Sequence, residues 1–448
     1  MVRAGSSMLT ELPRGKADAV IVGGGIIGCS AAYFAAKAGL EVVLVDKGAV
    51  GFEQSTRNWG WIHQQVRHPH LIPFSMYSRR IWEGLEAELG ADLEWRQGGN
   101  INLAGNQPDM EAFEGYLAAA GPSALDVELL GPAETQKMLP GIGNDVLGSL
   151  HVGSDGQANP RLVTRAFADA ARGLGVTIVE NCAVNSMLTS GNRTTGVATE
   201  RGAIEAEQVV IACGAWSRRM LKPLGIKLPQ NAIRSTVIRT TPASKYTQAT
   251  GWAGDVAFRQ DARGKFVLAA GNRSTFDVNL DSITDLLSFG KTAWHYRSQL
   301  KVGVGKVLLR DVFTLLPGTA HHAAPWAQLR NNEPPPDLGA AAPNLDGFHR
   351  LLPQFSHLAV EEIWAGNVDM TPDQAPVLDN ATGVKGLVIA TGFSGHGFAL
   401  GPGGGQTTAA LLQGMTPEVD IHGFRLARFA EGNVPELVPF HPVRETRR

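Results

Sequence analysis

A glycine-rich turn near the start of the chain constrains the fold more than any other feature. An apolar run that ends at Val22 leads into three glycines spaced G-x-G-x-x-G, namely Gly23, Gly25 and Gly28. In a strand–turn–helix unit, the first glycine permits a tight turn, the second lets a pyrophosphate approach the backbone, and the third lets the helix pack on the strand. A second apolar run then ends in Asp46, which is placed to accept hydrogen bonds from a ribose. The sequence therefore predicts a dinucleotide-binding βαβ unit with a helix over 26–38, whose free N–H groups favour phosphate.

Length and charge limit the classes of protein that fit. A chain of 448 residues can bury a large core in two or three domains. Its 40 basic and 42 acidic residues leave a net charge of −2 and are scattered, so we expect no nucleic-acid partner. The three cysteines, Cys29, Cys182 and Cys213, are far apart, which argues against a disulfide framework or a zinc site and fits a reducing compartment.

The N-terminal part of the sequence shows no membrane signal. Residues 1–14 lack the apolar segment of a signal peptide. The apolar stretch 19–45 is interrupted by five glycines and by Lys37 and Glu41, so a βαβ unit explains it better than a membrane span. We therefore expect a soluble, cytoplasmic protein with no membrane span.

A long polar loop follows Asp46 and precedes a helix predicted over 72–89. It carries hydroxyl, guanidinium and amide groups that suit a second ring system or phosphate oxygens, at Ser55, Thr56, Arg57 and Asn58. The alternative is a surface loop that caps the next helix.

Strand-to-glycine turns recur at 208–217 and 386–398, with alternating strand patterns between them. This organisation predicts one nucleotide domain through which a second domain is threaded. We assign 16–65, 150–225 and 360–430 to the first domain, and 66–149 and 226–359 to the second. Residues 319–343, rich in Ala, Pro and Asn, are interpreted as a surface loop or extension.

Three segments resemble the D-amino-acid oxidase superfamily of FAD-dependent enzymes, in particular its glycine oxidase, monomeric sarcosine oxidase and D-amino-acid dehydrogenase branches. They are Gly23–Gly28, Gly214-Ala-Trp-Ser217 and Gly392-Phe-Ser-Gly-His-Gly-Phe398. The stretch from Trp364 to Pro376 matches the family pattern W-x-G…T-P-D-x-x-P. This resemblance, which covers about 18–412, implies an α/β fold. Its parts would be a Rossmann-type FAD-binding domain and an interleaved α+β substrate domain built on an antiparallel or mixed sheet.

The resemblance also implies a set of cofactor contacts. In this reading the backbone of Val184 holds the adenine, and a helix start within 395–405 stabilises negative charge on the reduced flavin. His396 lies beside the flavin or, alternatively, is a packing histidine in a turn. Binding is expected to be non-covalent, because 366–370 lacks the cysteine that carries the flavin in the sarcosine oxidase branch. The expected FAD contacts are Gly23, Gly25, Ile26, Ile27, Gly28, Asp46, Lys47, Ser55, Thr56, Arg57, Asn58, Trp59, Gly60, Val184, Cys213, Gly214, Trp216, Gly366, Asp369, Gly392, Phe393, Ser394, Gly395, His396, Gly397 and Phe398.

The implied activity is oxidation of a C–N bond in an amine or amino-acid-like small molecule. Family members hold a substrate carboxylate with a basic residue at one of three places, where this chain has Gly60, Val368 and Ala399. Either another cation replaces them, or the substrate is a larger or uncharged amine bound by aromatic side chains. The candidate cations, each alternatively a surface residue, are Arg259, Arg67, Arg350 and His349. The candidate aromatics, each alternatively a core residue, are Trp59, Trp61, Trp252 and Phe258.

The remaining assignments concern catalysis and the electron acceptor. His396, Arg259, His63 and Lys265 are the catalytic candidates, and Trp61, Gln64, Phe258, Arg259 and Trp364 are the substrate candidates. Lys265 lies near the position of a lysine that assists oxygen reduction in the sarcosine branch, which favours O2 slightly over another acceptor. The oligomeric state stays open. A flavin-binding subunit of a larger dehydrogenase complex is the main alternative, and an NAD-dependent hydroxy-acid dehydrogenase is a third hypothesis.

Overall fold

Two large β-sheets organise the protein, which we describe from a computed structural model covering residues 12–13, 15–65, 69–120, 125–316 and 326–435. The first sheet has eight strands: β1 Lys16–Val22, β2 Val42–Val45, β8 Thr177–Val179, β9 Val184–Ser190, β10 Arg193–Thr199, β11 Gly202–Ile211, β18 Val377–Asp379 and β19 Leu387–Thr391. The second has nine: β4 Asn100–Ala104, β5 Val127–Leu130, β6 Gly148–Val152, β12 Asn231–Pro242, β13 Thr250–Ala253, β14 Val256–Gln260, β15 Lys265–Asp277, β16 Leu300–Gly303 and β17 Val360–Met370. A small ribbon pairs β3 Trp61–Ile62 with β7 Gly156–Gln157.

Helices cover these sheets. The α-helices are Ile26–Lys37, Gln54–Arg57, Ile72–Leu89, Gln107–Ala120, Pro132–Met138, Pro160–Gly173, Ser217–Leu221, Leu280–Thr284, Leu286–His295, Lys306–Phe313, Leu338–Leu351, Gly401–Leu412 and Arg428–Glu431. Short 3₁₀ turns lie at Pro69–Leu71, Gly214–Trp216, Lys222–Leu224, Pro353–Phe355 and His422–Phe424.

The first sheet is a Rossmann-type sheet. Its core order is β18-β19-β11-β1-β2-β8, and all neighbours from β19 to β8 run parallel. Strand β2 is buried along its whole length, which explains its continuous apolar run. The predicted βαβ unit is therefore confirmed.

The helix Ile26–Lys37 lies between this sheet and a second helix. Its first ten residues are buried, because the helix Gly401–Leu412 packs against it. At the contact, a β-carbon on Gly405 would come within 2.2 Å of Ser30 Oγ, so only glycine fits there. The C-terminal glycine segment thus fixes the position of the N-terminal helix.

The second sheet is mixed, as predicted. Its order is β17-β12-β15-β14-β13-β4-β6-β5, and its pairs are antiparallel except for β13 with β4 and β15 with β16. The chain enters this sheet between β3 and β7 and returns to it after β11, so the two sheets are interleaved in sequence.

The prediction that 319–343 is a surface loop is wrong for part of its length. Residues 319–325 lie outside the described ranges. Trp326 is buried, and residues from Leu338 onward form a helix, whose Asp337 side chain caps it by accepting from Gly339 N–H at 3.0 Å. The proline at 343, which normally disfavours a helix, lies inside this one, and most of the helix's buried residues are small. The sequence therefore lacked the apolar periodicity that would have predicted this helix.

Among the described residues, no helix has both the length and the apolar character needed to cross a bilayer.

Candidate active site

A continuous cleft runs from the N-terminal glycine turn, past the C-terminal glycine turn, and along one face of β12. Most of the predicted cofactor residues line it. They are Gly23, Gly25, Ile26, Ile27, Asp46, Lys47, Ser55, Arg57, Asn58, Trp59, Val184, Cys213, Gly214, Trp216, Gly366, Asp369, Phe393, Ser394, Gly395, His396, Gly397 and Phe398. Four others lie behind it: Gly28, Thr56, Gly60 and Gly392.

The N-terminal turn has the geometry that a pyrophosphate requires. Gly23 has φ +110°, which L-residues with a side chain avoid. A β-carbon on Gly28 would lie 1.9 Å from the carbonyl oxygen of Gly23, so this glycine permits the close contact of helix and strand. Gly25 is the N-cap of the helix and lines the cleft, and beside it Ser55 Oγ accepts from Ile26 N–H at 2.9 Å.

Asp46 is held at the end of β2 by backbone amides. Its Oδ2 accepts from Gly24 N–H at 2.6 Å, and its Oδ1 accepts from Gly48 N–H at 2.7 Å. Burial raises the pKa of this carboxyl, and the two amide hydrogen bonds oppose that rise. Each carboxylate oxygen keeps a second lone pair, which suits the two hydroxyls of a ribose.

The C-terminal turn is strained and tightly fixed. Gly392, Ser394 and Gly395 all have positive φ, at +74°, +50° and +86°. The buried carboxylate of Asp369 accepts from Gly392 N–H at 2.8 Å, and burial raises its pKa to about 6. Ser394 Oγ and Thr371 Oγ1 lie 3.0 Å apart, so the turn is tied to the T-P-D loop. The helix itself begins six residues later, at Gly401.

Two histidines and three tryptophans meet beyond this turn. The rings of His63 and His396 have centroids 5.5 Å apart. Trp59 lies edge-on to Trp61 and Trp252, with centroids at 5.4 and 6.0 Å. All five side chains line the cleft, so they form one continuous aromatic wall.

Several predicted catalytic and substrate residues do not reach the cleft. Arg259 is buried behind Trp59 and Gly60, where its Nε donates to the Trp59 carbonyl and its Nη1 donates to Gln157 Oε1 at 3.2 Å. Burial lowers the pKa of this guanidinium to about 10. Lys265 pairs with Glu361. Both long side chains are held by these partners, and neither lines the cleft.

The other misplaced candidates are likewise engaged elsewhere. Gln64 is buried, and its Nε2 donates to Ser154 Oγ at 2.6 Å and Asp155 Oδ1 at 3.0 Å. Phe258 is fully buried in the core of the second sheet. Trp364 Nε1 donates to the Arg57 carbonyl at 3.0 Å, behind the lining. Arg350 is exposed and pairs with Asp255, and Arg67 lies outside the described residues.

The sequence predicts Gln65 as a polar contact that follows Trp61, but sequence reasoning missed the two asparagines that join it in an amide cluster in the cleft. Asn100 and Asn102 alternate along β4 and therefore face the same side, where they meet Gln65. The alternation of these two asparagines with apolar residues along the strand was the sequence signal by which they could be found.

It also missed a segment that crosses the dinucleotide end of the cleft. Trp326 Nε1 donates to the Val184 carbonyl at 2.7 Å. Asn331 Oδ1 accepts from Ala49 N–H at 2.9 Å, and Glu333 pairs with Arg57 at 3.0 Å. We call residues 326–333 the strap. No local pattern in the sequence predicts these long-range contacts.

Comparisons with known proteins agree with this geometry. The family model described as DAO, FAD dependent oxidoreductase, matches residues 18–411. The chain is 28% identical to sarcosine oxidase subunit beta of Rhizobium meliloti, over 94% of this chain and 90% of that protein. It is 23% identical to human mitochondrial sarcosine dehydrogenase over 95% of this chain, but it spans only 43% of that relative.

Solved structures share the fold. L-amino acid deaminase from Proteus myxofaciens, in complex with anthranilate, superimposes with a TM-score of 0.86 at 25% identity over 95% of this chain and 97% of that one. Glycine oxidase from Geobacillus kaustophilus gives a TM-score of 0.75 at 22% identity over 93% and 99%. The predicted fold class and the FAD prediction are thereby confirmed. The chain belongs to the DAO family of FAD-dependent oxidoreductases.

Proposed function

We propose that this protein oxidises a C–N bond of an amine, an N-substituted amino acid or a D-amino or imino acid to an imine. The observation that carries the proposal is the single cleft that joins the dinucleotide turn to a chamber lined by Trp59, Trp61, Trp252, His63 and His396. When FAD is bound there, it supplies a hydride acceptor, and water then hydrolyses the imine to a carbonyl compound.

The residues of the chain would bind, orient and desolvate the substrate. The tryptophan wall offers a flat apolar surface, and Ile233, Ser235 and Val237 of β12 extend it. The reactive form of the substrate is the neutral amine, so its proton must leave before oxidation. The imidazoles of His63 and His396 lie at this wall, where a side chain that accepts the proton would have to stand.

The three non-basic positions support a substrate other than a small amino acid. Any side chain at Gly60 would meet Arg259, since a β-carbon there would lie 2.7 Å from its Nε. Val368 lies against Gly395, and the carbonyl of buried Ala399 accepts from Trp82 Nε1 at 2.9 Å. Because none of these positions can present a cation, glycine and sarcosine are poor candidates.

Anaerobic reduction of the bound flavin by a substrate panel tests this function. We expect bleaching of the visible flavin bands by secondary amines or amino acids with bulky or aromatic substituents, and little bleaching by glycine or sarcosine. A panel that leaves the flavin oxidised while dithionite reduces it would refute the proposal.

A second candidate is a flavin-binding subunit of a larger dehydrogenase complex. Residues 280–316 expose large apolar side chains, among them Leu287, Trp294 and Val304, which are 97%, 71% and 75% exposed. A surface of this kind is typical of protein interfaces. Sedimentation of the purified chain with flavin bound, alone and after co-purification from its source, tests this candidate.

A further inference from the structure

We propose that the side-chain amide of Gln65 is a neutral hydrogen-bond donor that holds a carbonyl oxygen of the substrate. The substrate class is then an amine that carries an uncharged carbonyl group, such as an amino-acid amide. This inference rests on the proposed function and names its specificity. Three observations support the inference: the orientation of the amide cluster in the cleft, the Gln65 Nε2 donor that has no partner among the described residues, and the pairing of the lysines and arginines that line the cleft.

The cluster is oriented in one direction. Asn100 Nδ2 donates to Thr250 Oγ1 at 2.7 Å, which leaves Asn100 Oδ1 as an acceptor. Asn102 Nδ2 donates both to Asn100 Oδ1 at 2.7 Å and to Gln65 Oε1 at 2.6 Å. Both protons of Asn102 are therefore committed, and the carbonyl end of Gln65 is fixed toward Asn102.

The opposite end of Gln65 has no hydrogen-bond partner among the described residues. Its Nε2 is buried and makes no hydrogen bond within those ranges, and the residue as a whole is only 7% exposed. Gln65 lines the cleft together with Trp61 and His63. Burying an amide donor without a partner is unfavourable, so a ligand oxygen at this position would supply the missing hydrogen bond.

Cations in the cleft are already paired. Of the lysines and arginines that line it within the described residues, Lys47 pairs with Glu53 and Arg57 pairs with Glu333. Arg330, the third, pairs with Glu200. A carboxylate brought to Gln65 would therefore be desolvated beside lysines and arginines that are already paired, whereas a neutral carbonyl accepts the same hydrogen bond without that penalty.

The neighbouring wall fits the rest of such a molecule. Trp61 is packed edge-on to Trp59 at 5.4 Å, so an aromatic or branched substituent can lie against the wall while its carbonyl reaches Gln65. Recognition then depends on shape and one directed hydrogen bond, not on charge.

Two ligands of nearly equal shape test the inference. The purified holoenzyme is titrated with 2-aminobenzamide and with 2-aminobenzoate, and binding is followed by the change in the flavin absorption spectrum. We expect the neutral amide to bind at least tenfold more tightly than the carboxylate. Tighter binding of the carboxylate, or no spectral change with either ligand, would overturn the inference.

Variants of Gln65 identify the donor. Gln65→Leu should weaken binding of the amide about tenfold or more, which corresponds to the loss of one hydrogen bond. Gln65→Glu, which offers acceptors only when ionised, should weaken both ligands and the carboxylate more. Flavin content and thermal midpoint, measured in parallel, report any structural damage. An unchanged dissociation constant in a well-folded Gln65→Leu holoenzyme would remove Gln65 from this role.

The outcome is separable from that of the proposed function. If the amide binds through Gln65 but no amine reduces the flavin, the anchor stands and the proposed oxidation fails. If amines reduce the flavin but Gln65→Leu changes neither dissociation constant, the oxidation stands and the anchor fails.

Discussion

A buried ion pair connects the C-terminal helix to the T-P-D loop, and its removal should be costly. Arg428 and Asp373 have side chains that are 2% and 0% exposed. Arg428 Nε donates to Oδ2 at 2.7 Å and Nη2 donates to Oδ1 at 3.1 Å, so the contact is bidentate. Nη2 also donates to the carbonyl of Ala375 at 3.0 Å.

Arg428→Met should destabilise the fold by about 3–5 kcal/mol, because it leaves an uncompensated carboxylate in the interior. The Asp373 carboxylate that is left alone can instead take up a proton. Protonating an ordinary carboxyl at pH 7 costs about 4 kcal/mol, so the loss of folding free energy is limited to the same range. Arg425→Met is the matched control on the adjoining turn, since Arg425 pairs with Glu431 at 3.2 Å at the surface, where solvent screens the interaction.

Urea unfolding of both variants, followed by circular dichroism at pH 7, measures the difference. We also expect Arg428→Met to bind FAD more weakly, because the T-P-D loop that it holds carries Gln374, which lines the cleft. Equal unfolding free energies for the two variants would refute the argument that the buried pair fixes this loop.

Three further predictions concern the dinucleotide end and its surroundings. Gly28→Ala, which places a carbon 1.9 Å from a backbone oxygen, should yield protein without bound flavin, while Gly115→Ala, with open space around it, should retain flavin absorbance. Burial raises the pKa of Asp155 to about 7, so between pH 4 and 7 the folded protein keeps a proton that the unfolded chain has lost. As the pH rises through this window, the free energy of unfolding therefore falls by up to about 1.4 kcal/mol per pH unit. Asp155→Asn should flatten that slope in urea unfolding at pH 5, 6 and 7; an unchanged slope counts against the assignment. Trp326→Phe deletes the proton donated to the Val184 carbonyl and should speed FAD dissociation several-fold, measured by the recovery of flavin fluorescence.

Local features of the sequence were sufficient to predict the dinucleotide site. Gly23 and Gly28 act through backbone conformation and close approach, and Asp46 follows directly from the end of a strand. The contact of Gly28 with Gly23 and those of Asp46 with Gly24 and Gly48 join residues fewer than thirty positions apart, so the sequence pattern indicates them.

The substrate end depends on contacts that no local pattern encodes. Arg259 looked like a carboxylate ligand, but the structure buries it behind Trp59, a residue 200 positions away. The orientation of Gln65, which lies in a loop, depends in turn on Asn102 of β4. Which face of a strand meets a cleft is decided by the packing of both domains.

The interleaved order of the Rossmann-type sheet has a consequence for biosynthesis. Strand β1 at Lys16–Val22 pairs with β11, and β11 pairs with β19 at Leu387–Thr391. A ribosome that adds roughly 5–20 residues per second needs about 9 to 35 seconds to make the chain between the end of β11 and the start of β19. During that interval the edge of β11 has no partner, so the nascent chain would carry an open, apolar strand edge that chaperones must shield until the last strand emerges.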